Sequence, residues 1–297
     1  MKKRFLGVLL SVAMVAAVLA GCGSSGAKET AAPAGSETEA ASETEAASEA
    51  ASGETEAAGN TGDVITVGFS QVGAESDWRT ANSESMKSTF STENGYNLIF
   101  DDAQQKQENQ IAAIRNFIQQ EVDYIVLAPV TESGWDTVLQ EAKDAEIPVI
   151  IVDRMVNVSD DSLYTAWVGS NFKLEGQKAC EWLKQYAAAK NMSEVNIVDI
   201  QGTIGASAQI GRSAALEEAA AANGWNLLEQ QTGEFTQAKG QEVMESLLKQ
   251  YDNINVVYCE NDNEAFGAIE AIKAAGKTVG PDRKSTRLNS SHHSISY

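Results

Sequence analysis

From Val64 to Gly280 the apolar positions alternate between two periods. The chain VITVGFSQV, starting at Val64, is a short β-branched run that stops in a polar loop carrying Glu75, Ser76, Asp77, Trp78 and Arg79. It reads as a buried strand that delivers polar groups and one aromatic to its carboxyl end. Met86 and Phe90, four apart, predict a helix that Gly95 can cap; Tyr96 to Phe100 is a strand, and Ile111, Ile114, Phe117 and Ile118 stripe the next helix. The rhythm repeats with a strand at Tyr124 to Ala128, a helix face of Trp135, Val138, Leu139 and Ala142, and an unbroken apolar run from Ile147 to Val152 closed by Asp153 and Arg154. Runs apolar on both faces are what buried parallel strands require.

A second series follows. Leu163 to Val168 reads as a linking strand, and Phe172, Ala179, Leu183 and Tyr186 share a helix face before the strand Val195 to Ile200. Then come a helix with Ala215 and Ala219, a strand Trp225 to Leu228, a helix with Val243, Leu247 and Leu248, a strand Ile254 to Tyr258, and a helix with Ala265, Ile269 and Ile272. Two βα series predict an α/β protein of two doubly wound parallel-sheet lobes, residues 64–167 and 168–281, with a cleft between them. In such sheets a ligand sits beyond the carboxyl ends of the strands.

The ends of the chain follow other rules. Lys2, Lys3 and Arg4 precede an apolar run from Phe5 to Ala20 that closes in Leu19, Ala20, Gly21 and Cys22. That run is shorter than the ~20 residues of a spanning helix, so residues 1–22 read as an export signal. The LAGC ending resembles a lipobox, which implies lipid on Cys22 and a protein held at the outer face of a membrane by that anchor alone. Residues 23–63 are Ala, Glu, Ser, Thr and Gly with no aromatic, too polar to offset the entropy of ordering. They are expected to form a flexible tether spanning about 35 Å. Residues 282–297, DRKSTRLNSSHHSISY, carry no helix or strand period and look like translated adapter sequence, so the second lobe is expected to be incomplete.

Charge and composition then exclude partners. Loss of Lys2, Lys3 and Arg4 with the leader takes the formal charge from -20 to -23, which argues against nucleic acid and anionic lipid headgroups. The only histidines, His292 and His293, lie in the tail, so no histidine triad, imidazole base or zinc site can be built in the body, and no cofactor is expected. Cys180 on a helix and Cys259 at a strand end read as buried free thiols. Gly276, Lys277 and Thr278 resemble the end of a phosphate loop, but position 271 is Ala where that motif needs Gly, and the triplet follows a helix instead of opening one.

The positive signal is the arginines. The body holds four, and Arg115 fits a solvated helix face. Arg79 and Arg154 follow strands, and Arg212 follows the turn after Ile200, with Glu75 and Asp77 near the first and Asp153 beside the second. Arginine's planar fork matches paired hydroxyls, and charged donors mixed with acceptors suit a neutral polyhydroxy ligand. Asp153 and Arg154 could also be a simple structural ion pair, and Trp78 could be core.

The segments GFSQVGAESDWR, DDAQQKQENQ, LAPV, AEIPVIIVDR, LQGTIGASAQIGR, GEFTQAKGQEVMESLLK and ENDNEAFGAI resemble, in order and spacing, the type I sugar-binding proteins of bacterial ABC transporters, and among them those that bind galactofuranose. The resemblance spans about Val64 to Gly280. It implies a monomeric two-lobed receptor that closes on a monosaccharide and presents it to a permease. Carried over by motif, Glu75, Ser76, Asp77, Trp78 and Arg79 would bind and stack on the sugar from the first lobe, Asp153 and Arg154 would take hydroxyls, and Arg212, Asn261 and Phe235 would act from the second lobe. Glu260 and Asn263 depart from the family's usual residues at the second rim. Rival readings are an exported carbohydrate-active enzyme using Glu75 and Asp153, a sugar sensor feeding a membrane receptor, and a transcriptional regulator, the last disfavoured by the leader and the acidic tether.

Overall fold

The computed structural model describes residues 64–280; the leader with Cys22, the tether and the tail lie outside the described residues. The first lobe runs β1 (Ile65–Gln71), α1 (Asp77–Thr89), β2 (Tyr96–Asp102), α2 (Gln107–Gln119), β3 (Tyr124–Leu127), α3 (Asp136–Asp144), β4 (Val149–Asp153) and β5 (Ala166–Gly169). Its five described strands lie in the order β2-β1-β3-β4-β5, every pairing parallel. The second lobe runs α4 (Phe172–Ala189), β6 (Asn196–Gln201), α5 (Ser207–Asn223), β7 (Asn226–Thr232), α6 (Gln237–Gln250), β8 (Val256–Cys259) and α7 (Asp262–Ala274). Its described strands lie in the order β7-β6-β8, again parallel.

The two lobes repeat one plan. β1 sits between β2 and β3 as β6 sits between β7 and β8, and the Ala103 N–H bonds Gln71 O just as the Gly233 N–H bonds Gln201 O. Parallel neighbours need crossover helices, and these cover both sheet faces, so the strands carry apolar residues on each side. In the first lobe Ile114, Phe117, Val138 and Leu139 of α2 and α3 pack on Ile125, Leu127 and Ile151, while Met86 and Phe90 cover Val67, Phe69 and Val126 on the other face. In the second, Cys180, Leu183 and Leu216 of α4 and α5 cover Ile197, and Val243, Met244, Leu247 and Ala268 of α6 and α7 cover Val198 and Ile200. A side chain at Gly68 would place its Cβ 2.5 Å from the Phe117 ring, so glycine there is what lets α2 lie against β1.

Several boundaries depart from the periodic reading. α1 starts at Asp77, so Asp77, Trp78 and Arg79 belong to its first turn and not to a loop. Gly95 caps the short 3-10 turn Thr92–Asn94 at φ +86°, while α1 ends earlier, at Phe90, because that turn intervenes. β7 extends to Thr232, four residues past the apolar run, since its polar members pair as part of an edge strand. The lobe boundary expected after residue 167 falls inside β5, which pairs with β4 through Gly169. The crossing lies at Ser170 and Asn171, where the Asn171 side chain accepts the Leu174 N–H at 3.0 Å and opens α4. Cys180 and Cys259 are buried free thiols as expected, and burial pushes the Cys180 thiol up to about 12. Among the described residues no helix is long and apolar enough to cross a membrane.

Candidate functional site between the strand ends

After β1 the chain turns into α1, and the Ser76 hydroxyl accepts the Arg79 N–H at 3.2 Å as its N-cap. This start places Glu75 and Arg79 four residues apart on the inward face, with Arg79 only 2% exposed. Arg79 Nε donates to Glu75 Oε1 at 3.1 Å and its Nη2 to Asp153 Oδ2 at 2.7 Å. Arg154 Nη2 reaches the same Glu75 oxygen at 3.2 Å, and its Nη1 donates to Val130 O at 3.2 Å. The ion pairs are therefore crossed. Asp153 serves Arg79 and Arg154 serves Glu75, so the ion pairs join each of these neighbours to the α1 region and not to each other.

Asp153 holds φ +62°, a conformation that costs a side-chain-bearing residue about 1–3 kcal/mol. The Arg79 ion pair and a bond from Trp167 Nε1 to Asp153 O at 3.3 Å hold it there. Burial opposes the charge on Arg79, but Asp153 and Glu75 more than offset it and its pKa moves up. Arg154 moves down to about 10, through burial first and then the nearby Arg79 charge, and remains a cation at neutral pH. Trp78 stands at the mouth, 40% exposed, with the Arg79 guanidinium 4.8 Å from its ring.

The second lobe supplies the facing wall. Arg212 on α5 donates through Nε and Nη2 to Glu175 Oε2 of α4 at 3.2 and 2.8 Å, and through Nη1 to Glu260 O at 2.7 Å. Its guanidinium lies 5.0 Å from the Phe172 ring. Asn261 follows β8 and caps α7, while Phe235 follows β7 and brings its ring within 4.8 Å of the Arg154 guanidinium across the cleft. Further bonds close the lobes on each other: Met155 N to Ser207 Oγ at 2.8 Å, Glu132 N to Gly205 O at 2.8 Å, and Asp77 N to Asn263 Oδ1 at 3.2 Å.

One small cavity, with room of only about 30 Å³, collects these groups where the two lobes meet. Glu75, Ser76, Trp78, Arg79, Asp153 and Arg154 line it from the first lobe, and Arg212, Phe235 and Asn261 from the second. Of the sequence-derived site residues only Asp77 stays out. It is exposed at an adjoining opening with Asn263 and Phe266, because helical geometry turns it away from its neighbours Ser76 and Arg79. Phe172 and Ala208 also line the cavity. Periodicity assigned Phe172 to a helix stripe, and its place as the first residue of α4, next to the lobe crossing, was the signal that it faces the cleft.

Two polar atoms of residues in this wall have no hydrogen-bond partner among the described residues. Glu75 Oε2 and Arg79 Nη1 are buried and make no hydrogen bond. An unpaired acceptor and an unpaired donor match hydroxyl groups, which can do both. Glu75 and Asp153 are each ion-paired to arginine. Among the described residues no cluster of His, Cys, Asp or Glu could hold a metal ion.

Parallel lobes meeting over a polar, aromatic-walled cleft define a solute-binding protein, and residues 67–284 match the family model described as periplasmic binding protein domain. The chain belongs to that family, a family of binding proteins and not of enzymes. It is 47% identical over 222 residues to the galactofuranose-binding protein YtfQ of Escherichia coli K12, covering 73% of this chain and 69% of that one. Among the similar solved structures are two with bound furanoses. One, from Mycobacterium smegmatis in complex with β-D-fucofuranose, has 48% identity and a TM-score of 0.70 over 73% of this chain and 71% of that one. The other, the arabinose ABC transporter's binding component from Shewanella sp. ANA-3 bound to α- and β-L-arabinofuranose, has 49% identity and a TM-score of 0.68 over the same shares.

Proposed function

We propose that this chain captures a monosaccharide in its furanose form, of the galactofuranose kind, and hands it to the permease of an ABC importer. The observation that carries the reading is the pair of unpartnered buried atoms, Glu75 Oε2 and Arg79 Nη1, on two residues that line a cavity whose other wall comes from the second lobe. Sugar hydroxyls would bond these atoms and also Asp153, Arg154, Ser76, Arg212 and Asn261, while Trp78 and Phe235 would cover the ring. Asp77 would act at the rim. Groups from both lobes reach one ligand only when the lobes meet, so binding favours the closed state by its differential contacts. The ligands of the similar solved structures, fucofuranose and arabinofuranose, support the five-membered ring. The chain would act as a monomer, anchored outside the cell membrane by lipid on Cys22.

Calorimetry and thermal shift with ring-locked ligands test this. Methyl β-D-galactofuranoside should bind and raise the melting temperature, and methyl β-D-galactopyranoside should bind much more weakly. Equal response to both rings refutes the furanose assignment, and no response to any monosaccharide refutes the sugar reading. Cys22→Ser should release the protein from membranes, and retention there would refute the anchor.

A further inference from the structure

Phe235 forms the second-lobe wall in a conformation that a bulky residue avoids. Its φ is +62° and that of Glu234 is +55°, two successive left-handed residues between β7 and α6. Such a conformation persists only where its surroundings fix it. Three contacts do so. Glu264 Oε1 accepts the Phe235 N–H at 2.8 Å, Asn261 Nδ2 donates to Phe235 O at 2.8 Å, and the ring lies over Gly202, where a Cβ would come within 1.8 Å of it. Asn261 is in turn fixed by Glu264, whose backbone N–H donates to Asn261 Oδ1 at 2.8 Å.

Glu264 thus touches two cavity-lining residues while lining none of the cavity itself. It is fully buried, and Gly233 and Gly240 make room for it: a Cβ on the first would sit 2.9 Å from its Oε1 and on the second 2.7 Å from its Cα. Its other oxygen, Oε2, has no partner, and no arginine or lysine forms an ion pair with it among the described residues. Asp199, Cys259, Glu260 and Arg212 are the ionisable groups that face it. A buried carboxyl without a counter-ion is unfavourable by itself, and the bond its side chain makes is the one that holds Phe235.

We propose that Glu264 is a positioning residue for the binding site: its carboxyl locks the Phe235 backbone, and so sets the aromatic wall that meets Arg154 when the lobes close. The affinity part of this rests on the furanose reading, whereas the backbone lock does not.

The test compares Glu264→Gln, which keeps an oxygen acceptor, with Glu264→Leu, which removes it. Hydrogen–deuterium exchange of the segment 233–237 should stay protected in the Gln variant and lose protection in the Leu variant. Affinity for methyl β-D-galactofuranoside should stay within about 3-fold of the parent for Gln and fall about 10-fold for Leu, at temperatures where both are folded. Combining Glu264→Leu with Phe235→Ala should add little to the loss from Phe235→Ala alone. Leu behaving like Gln in exchange overturns the lock, and lost protection with unchanged affinity overturns the positioning role. If the parent binds no furanoside, the sugar reading fails while the exchange result still decides the lock. Should Glu264→Leu fail to fold, Glu264→Met carries the same comparison.

Discussion

Glu75→Gln probes the centre of the site. The Glu75 carboxylate lies between two guanidinium groups, 3.1 Å from Arg79 Nε and 3.2 Å from Arg154 Nη2, with all three side chains at most 4% exposed. Together with Asp153 the cluster holds two positive and two negative charges. Glutamine keeps the shape and one acceptor but leaves Asp153 alone to balance Arg79 and Arg154. Burial and the neighbouring Arg79 already depress Arg154 to about 10, so the cluster has little capacity for another uncompensated charge. A unit pair near 4 Å at an effective dielectric of about 20 is worth ~4 kcal/mol, and removing one partner of a buried pair typically costs ~3–5 kcal/mol. A loss of about 3–5 kcal/mol is therefore expected in urea unfolding at pH 7, followed by tryptophan fluorescence. Glu141→Gln is the internal control, because its partner Arg115 is exposed and screened, and its unfolding midpoint should stay put. A loss below about 1 kcal/mol for Glu75→Gln, or equal shifts for both variants, would refute the view that the cleft cations depend on Glu75.

Arg154→Ala should weaken furanoside binding about 10- to 100-fold by calorimetry, and unchanged affinity would reject its assignment. Asp199 is fully buried on β6 with its Oδ1 unpartnered, and burial, its largest influence, pushes its pKa up to about 7. A carboxyl raised in the folded state gives stability that is complete below about pH 4 and is lost as pH rises to 7, by roughly 3–4 kcal/mol at most. Asp199→Asn should accordingly flatten the fall in melting temperature between pH 4 and 7, and parallel curves for parent and variant would refute this. Gly202→Ala should displace the Phe235 ring and weaken binding at least 10-fold while the fold persists in circular dichroism, and retained affinity would show the ring free to move aside.

The order of strands and helices was legible because parallel sheets covered on both faces demand largely apolar runs such as YIVLA and VIIV, separated by helical stripes. Element ends were less legible. Gly95 offered a cap, but the short turn before it took that role, and β7 ran on through polar residues that no period marks. Asp153 and Arg154 were visible as polar residues at a strand end, yet their partners were not, since those lie across the lobe on α1 and in the loop before it. Glu264 was silent, because one carboxylate in a helical segment reads as a solvated face until the packing of α6 against α7 buries it.

Local composition alone determined that this protein is an α/β two-lobe molecule with charged and aromatic residues at its strand ends, since apolar periodicity and turn position are properties of short segments. Only the tertiary structure decided which charges pair, that Phe235 is held left-handed, and that residues from Glu75 to Asn261 face one cavity. Those outcomes depend on contacts between positions far apart in the chain, and such contacts exist only once both sheets have closed over their helices.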